Sequence, residues 1–254
     1  MSNIGNNEKE NGGYTLNGKQ YYYDNDQGYS QVDSRINETA DLFTKVFGWM
    51  FLGLLVTAAT SFIAFHSDTL QDIIFGNIGV MLGLIVAQFV LVIVLSARVN
   101  KMNFSTALVS YLLYTIINGL TLSVIFLVYN IGTIYLAFGV TALTFGAISV
   151  FGAVTKKDLS GVGSIAIMAL FGLIIGSVVN MFFASSMLDW VITYAGIIIF
   201  TALTAYDVQK IKNLSQSGVN NNNLAIIGAL TLYLDFINLF LRILRVLGGR
   251  GNRN

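Results

Sequence analysis

Asp207 and Asp235 are the residues of this sequence best suited to chemistry, because each lies in a long apolar stretch that carries almost no other charge. Asp207 occurs in Thr204-Ala205-Tyr206-Asp207-Val208-Gln209, and Asp235 in Leu232-Tyr233-Leu234-Asp235-Phe236-Ile237-Asn238. A carboxylate at the centre of a bilayer costs roughly 2.5–3.5 kcal/mol on insertion scales, so keeping one there calls for a partner or a function. Two carboxylates brought together in a low dielectric cannot both ionise cheaply and would share one proton. The same pair offers hard oxygen ligands to a cation such as Ca²⁺, so protons and cations would compete for it. The structural alternative is an aspartate hydrogen-bonded to backbone or to its Tyr and Asn neighbours. For Asp207, near the end of its stretch, the two readings weigh about equally.

The remaining candidates are few. Arg98 is the basic residue at the end of the second apolar stretch. Its guanidinium either reaches inward to a carboxylate or snorkels to phosphate headgroups, which is the default. His66, the only histidine, reads as a loop residue, and Asn118 and Asn180 read as interhelical hydrogen-bond partners. Cysteine is absent, which removes thiolate metal sites and cysteine nucleophiles. No P-loop, nucleotide fingerprint, zinc spacing or serine-hydrolase elbow occurs, so no enzyme and no resident cofactor is expected. A net charge of +1 supplies no basic field for nucleic acid.

The elements that must position these residues follow from the charge distribution. Only 11% of the 254 residues are charged, 55% are hydrophobic and mean hydropathy is +0.69, whereas globular domains carry about 25% charged residues. Residues 102–155 contain no charge, and between 159 and 206 the only one is Asp189. Seven apolar segments result, near 46–65, 77–96, 104–128, 134–151, 163–183, 190–209 and 224–247. Each approaches the ~20 residues that cross a bilayer as a helix, and long continuous segments exclude a barrel. An all-α integral membrane protein with seven transmembrane helices is therefore expected, with the lipid bilayer as its principal partner. Residues 1–40, rich in Asn, Gly, Tyr and acidic residues, read as a disordered polar cytoplasmic tail. Residues 41–248 form the membrane domain, and 249–254 a short basic tail. Gly79-x-x-x-Gly83 and Gly172-x-x-x-Gly176 are spacings that permit close helix approach.

Basic residues orient the spans. Arg98 and Lys101 follow span two, Lys156 and Lys157 span four, and Lys210 and Lys212 span six, whereas the connections after spans one, three and five lack Lys and Arg. Six spans with a cytoplasmic N-terminus satisfy this pattern. A seventh crossing sends Arg242, Arg245, Arg250 and Arg253 to the opposite face, against the rule. A true helix is preferred over a segment that dips in and returns, because no Gly or Pro interrupts residues 229–247. With a loop at about 213–223, Asp207 and Asp235 differ in depth by roughly 9 Å. A frayed helix end or a tilt closes that gap.

Thr155-Lys156-Lys157-Asp158-Leu159-Ser160, Leu203-Thr204-Ala205-Tyr206-Asp207-Val208-Gln209-Lys210-Ile211 and Leu232-Tyr233-Leu234-Asp235-Phe236-Ile237-Asn238-Leu239-Phe240 together resemble the Bax inhibitor-1 family. Asn118-Gly119-Leu120-Thr121-Leu122-Ser123 and Asn180-Met181-Phe182 fit the same pattern, and the resemblance covers roughly residues 40–248. It implies seven helices with the last one central, and a pH-sensitive calcium leak channel in the cell membrane; the Cys-free, Asn-rich composition reads as bacterial. In that pattern Asp207 and Asp235 match a di-aspartyl sensor, and Arg98 matches a latch to the first of them. Gln88 replaces an acidic residue found in some members, and residues 220–223 read as an insertion between the two aspartates. A competing expectation is an interaction protein that regulates a membrane protease or stress pathway through a membrane protein partner.

Overall fold

The structure, a computed structural model, describes residues 13–16, 19–22, 25–98, 101–216 and 222–251. A short antiparallel hairpin of β1 (Gly13–Leu16) and β2 (Lys19–Tyr22) precedes α1 (Asn25–Phe65). Then follow α2 (Asp68–Phe75), α3 (Ile78–Arg98), α4 (Phe104–Leu122), α5 (Ile125–Val128), α6 (Ile131–Val154), α7 (Ser160–Phe183), α8 (Ser186–Gln216) and α9 (Asn222–Gly251). Of the stretch expected to be a tail, residues 1–12, 17–18 and 23–24 lie outside the described residues, as do Asn220 and Arg253. The apolar part of α1 begins at Asn37.

Seven helical stretches are long and apolar enough to cross a membrane, matching the seven expected segments one for one. Apolar side chains such as Phe89 and Ile93 on α3, and Phe171 and Ile175 on α7, are 63–64% exposed. On a water-soluble protein such continuous apolar surface would be an association site; here it is the lipid-facing wall. The chain is an all-α membrane-spanning protein.

Two features were not legible from hydropathy. An eight-residue helix, α2, fills the first connection, capped by Ser67 accepting from the Leu70 N–H. The third span breaks between α4 and α5 at Ser123 and Val124. There the Ser123 hydroxyl donates to the Leu120 carbonyl at 2.7 Å, a back-bond that bends helices. Two helix starts are capped by asparagine: the Asn103 and Asn130 side chains accept from Thr106 N and Thr133 N, each at 2.8 Å.

The expected glycine spacings are not the ones that bring helices together. A Cβ on Gly83 or Gly172 would meet nothing within 4 Å, and one on Gly176 only the tip of Ile192. These glycines lie where the bundle is loosely packed. The close approaches occur at Gly119, where a Cβ would sit 2.7 Å from the Thr57 carbonyl oxygen of α1, and at Gly152, 2.5 Å from that of Ala205 on α8. The α1–α4 seam is reinforced by Ser61 donating to the Gly119 carbonyl (2.7 Å) and Thr57 donating to that of Thr115 (3.0 Å).

Helix α9 is the most buried span: 72% of its most apolar stretch is buried, against 6% for α3 and at most 39% elsewhere. It packs against α1, α4, α6 and α8. Its 30 residues run without interruption, about 45 Å at ~1.5 Å per residue. The alternative of a segment that dips in and returns is thereby excluded.

Candidate functional site

Asp207 lies on α8 and Asp235 on α9, two helices packed against each other, and the two carboxyl groups are close enough to interact. The depth offset read from the sequence shrinks because both helices extend into the expected loop. Asp207 lies nine residues before Gln216, where α8 ends, and Asp235 thirteen after Asn222, where α9 begins. The four-residue difference amounts to about 6 Å.

Helix geometry explains why both carboxyls face the α8–α9 seam. At about 100° per residue, side chains two apart project from nearly opposite faces. Gln209 is buried and held by the α6–α7 connection, accepting from the Leu159 N–H and donating to the Lys157 carbonyl, both at 2.8 Å. Asp207, two residues earlier, is therefore turned away from that connection and toward α9. Lys212 adds a 2.6 Å bond to the Ala153 carbonyl at the end of α6, and the Tyr206 ring covers Gly163 of α7.

On α9 the same rule separates Asp235 from Tyr233. The Tyr233 hydroxyl shares a 2.6 Å hydrogen bond with Thr57 of α1. Its ring stands edge-on to Tyr111 and Tyr114 of α4, with centroids 6.2 and 5.9 Å apart. Tyr111 in turn donates to the Trp49 carbonyl at 2.9 Å. This buried tyrosine cluster fixes the rotation of α9 from the side opposite α8. Sequence reasoning missed it, although three tyrosines in two apolar spans were the available signal.

Asp235 is 4% exposed, and its Oδ2 has no hydrogen-bond partner among the described residues. Asp207 is half-buried, with Lys210 one turn further along α8. The Lys210 end of the bundle is the one nearer Asp207 on α8. A cleft of about 190 Å³ lies at that end, lined by Ser160, Tyr206, Gln209, Lys210, Asn213 and Leu214. Among the described residues no group of three or more His, Cys, Asp or Glu side chains gathers around the pair or elsewhere. Ca²⁺ takes six to eight oxygens, so two carboxylates alone fall short of a complete calcium shell.

The other expected residues fall elsewhere. Arg98 is exposed at the end of α3 and makes no ion pair among the described residues. Gln88 donates to Thr121 Oγ1 (2.8 Å) and the Ile117 carbonyl (3.3 Å), joining α3 to α4. Among the described residues Asn118 and Asn180 make no hydrogen bond to a neighbouring helix, contrary to expectation. Asn118 donates to Tyr114 one turn away on its own helix. Asn180 accepts from the Ser185 N–H beyond the end of α7, where Ala184 carries a left-handed backbone (φ 48°). Both find a nearer partner than a neighbouring helix. His66 is a loop residue bonded to the Phe62 carbonyl at 2.9 Å. At the far end, Arg245 of α9 pairs with Asp189 of α8, which neutralises one of the arginines that break the orientation rule.

A seven-helix membrane bundle with two acidic side chains meeting on its last two helices defines the class of protein. A family model described as inhibitor of apoptosis-promoting Bax1 matches residues 39–252. The chain is 45% identical over 230 residues to the inner membrane protein YbhL of Escherichia coli K12, covering 87% of this chain and 98% of that one. It is 47% identical over 212 residues to an uncharacterized protein of Borreliella burgdorferi, covering 82% and 91%. An uncharacterized membrane protein of Streptococcus pyogenes serotype M1 is 34% identical over 224 residues, covering 87% and 96%. The chain belongs to the Bax inhibitor-1 family.

Proposed function

We propose that this protein is a Ca²⁺-permeable leak channel of the cell membrane, gated by protonation of the Asp207–Asp235 pair. The supporting observation is that these two carboxyl groups, far apart in sequence, meet inside the bundle with one Asp235 oxygen unpartnered. Ionised, the pair is an anionic site that draws a cation inward; protonated, it loses that charge and the attraction with it. A carboxyl oxygen without a partner is poised to take a proton or touch an ion. The positive-inside rule, applied to the lysines beside the Asp207 end, supports a cytoplasmic side for that end and for the N-terminus.

Arg98 enters this reading as a latch on a closed state. It is exposed here, so latching requires the end of α3 to swing inward. Helix α3 packs mainly against α2 and α4 and is the least buried span, so this motion breaks few contacts. Calcium efflux from proteoliposomes loaded with a calcium dye tests the proposal. A pH-dependent leak abolished by Asp235→Asn supports it, and a leak indifferent to that substitution at every pH removes it.

A further inference from the structure

We infer that Arg242 and Arg245, near the end of α9 remote from the aspartate pair, form a phosphoryl-binding site whose occupant is the headgroup of an anionic phospholipid. A pocket of about 260 Å³ is lined there by Tyr129, Asn238, Leu241, Arg242, Leu244 and Arg245. It presents two guanidinium groups, a phenol and a carboxamide. Asp189 answers only one of the two positive charges, through its ion pair with Arg245. Arg242 is half-buried and has no ion-pair partner among the described residues.

The position of Arg242 is built into the neighbouring helix. Its side chain lies across Gly196 of α8, where a Cβ would come 2.9 Å from Nε and 3.1 Å from Cδ. Gly196 therefore leaves the room in which the Arg242 side chain lies against α8 beside the pocket. A planar fork with several N–H donors suits the oxygens of a phosphoryl group.

Depth identifies the source of that phosphate. Trp190 stacks on Tyr194 with centroids 5.8 Å apart, Trp190 lies against Gly249, and Tyr129 covers Gly248. Trp and Tyr gather at the level of lipid headgroups, so this belt sets the pocket at headgroup depth. Basic residues at this face also run against the orientation set by the Lys-bearing connections, and a bound anion offsets the excess charge. The inference is independent of the channel reading.

Thermal unfolding of the full chain in a nonionic detergent, titrated with dioleoyl phosphatidylglycerol, dioleoyl phosphatidylcholine or inorganic phosphate at matched ionic strength, tests it. Phosphatidylglycerol should raise Tm in a saturable way and more than phosphatidylcholine, whose choline cancels the phosphate charge. Arg242→Gln should weaken the response about tenfold or more, as expected for losing a charge-assisted hydrogen bond, and Arg242→Lys should restore part of it. If Arg242→Gln does not fold, Gly196→Leu serves instead: it keeps the charge, pushes Arg242 away from α8 and should weaken the response likewise. Native mass spectrometry should show fewer retained phosphatidylglycerol molecules in either variant. Equal responses of wild type and both variants overturn the site. Equal effects of the two lipids overturn the anionic headgroup. An Arg242-dependent response to inorganic phosphate alone overturns the lipid and leaves a soluble phosphate in its place.

Discussion

The Gln209 side chain accepts the Leu159 backbone N–H at 2.8 Å while donating to the Lys157 carbonyl at the same distance. This one residue ties the α6–α7 connection to α8 and, through helix rotation, aims Asp207 at Asp235. Gln209→Ala leaves a buried N–H and a carbonyl without partners and should cost about 1–3 kcal/mol. Gln209→Glu keeps the acceptor and loses the donor, so it should fall between. Unfolding midpoints in detergent rank the three proteins, and Ca²⁺ efflux should fall in the same order if Asp207 loses its aim.

Glycine substitutions distinguish real helix contacts from sequence spacings. Gly119→Ala drives a methyl against the Thr57 carbonyl and should destabilise by about 1–3 kcal/mol, the usual cost of overpacking. Gly83→Ala enters open space and should be neutral or stabilising by up to about 1 kcal/mol through helix propensity. Paired thermal melts test both.

Much of the fold was legible in the sequence because hydropathy reports lipid exposure directly: seven apolar stretches gave seven spans. The aspartate pair was legible for a related reason, since a carboxylate in an apolar stretch is rare. What stayed hidden depends on rotation about helix axes. Gly79 and Gly83 have the spacing of a packing motif, but only the tertiary arrangement shows that Gly119 and Gly152 carry the contacts. Likewise Gln209 read as part of a motif, with nothing to show that it clamps a loop fifty residues earlier.

Asp158 is a titratable group in the α6–α7 connection, apart from the proposed sensor. Its exposed carboxyl is held below the ordinary value of 3.8 by hydrogen bonds from Ser160, whose N–H it receives at 2.9 Å. A depressed folded-state pKa means that its stabilisation is complete above the ordinary value and is lost as pH falls below it. Hydrogen exchange at the Ser160 amide should therefore be flat from pH 8 down to about 4, once corrected for intrinsic rates, and accelerate below that. Asp158→Asn should remove the acid acceleration without altering the pH response of Ca²⁺ efflux.

Arg98 gives a further test. Its exposed position at the end of the least buried span makes it unimportant to folding, so Arg98→Gln should leave the melting temperature within the effect of a surface change, about 0.5 kcal/mol. As a latch on the closed state, its loss should raise the resting leak. A leak equal to wild type assigns Arg98 to headgroup contact instead.

Calcium efflux against pH for wild type and Asp235→Asn, in proteoliposomes, reaches the central claim most directly. Wild-type efflux should rise as pH increases, because deprotonation gives the Asp207–Asp235 pair the charge that draws Ca²⁺ inward. In Asp235→Asn the profile should flatten, with the protein still folded and inserted. A folded Asp235→Asn protein whose efflux follows the wild-type pH curve contradicts the account.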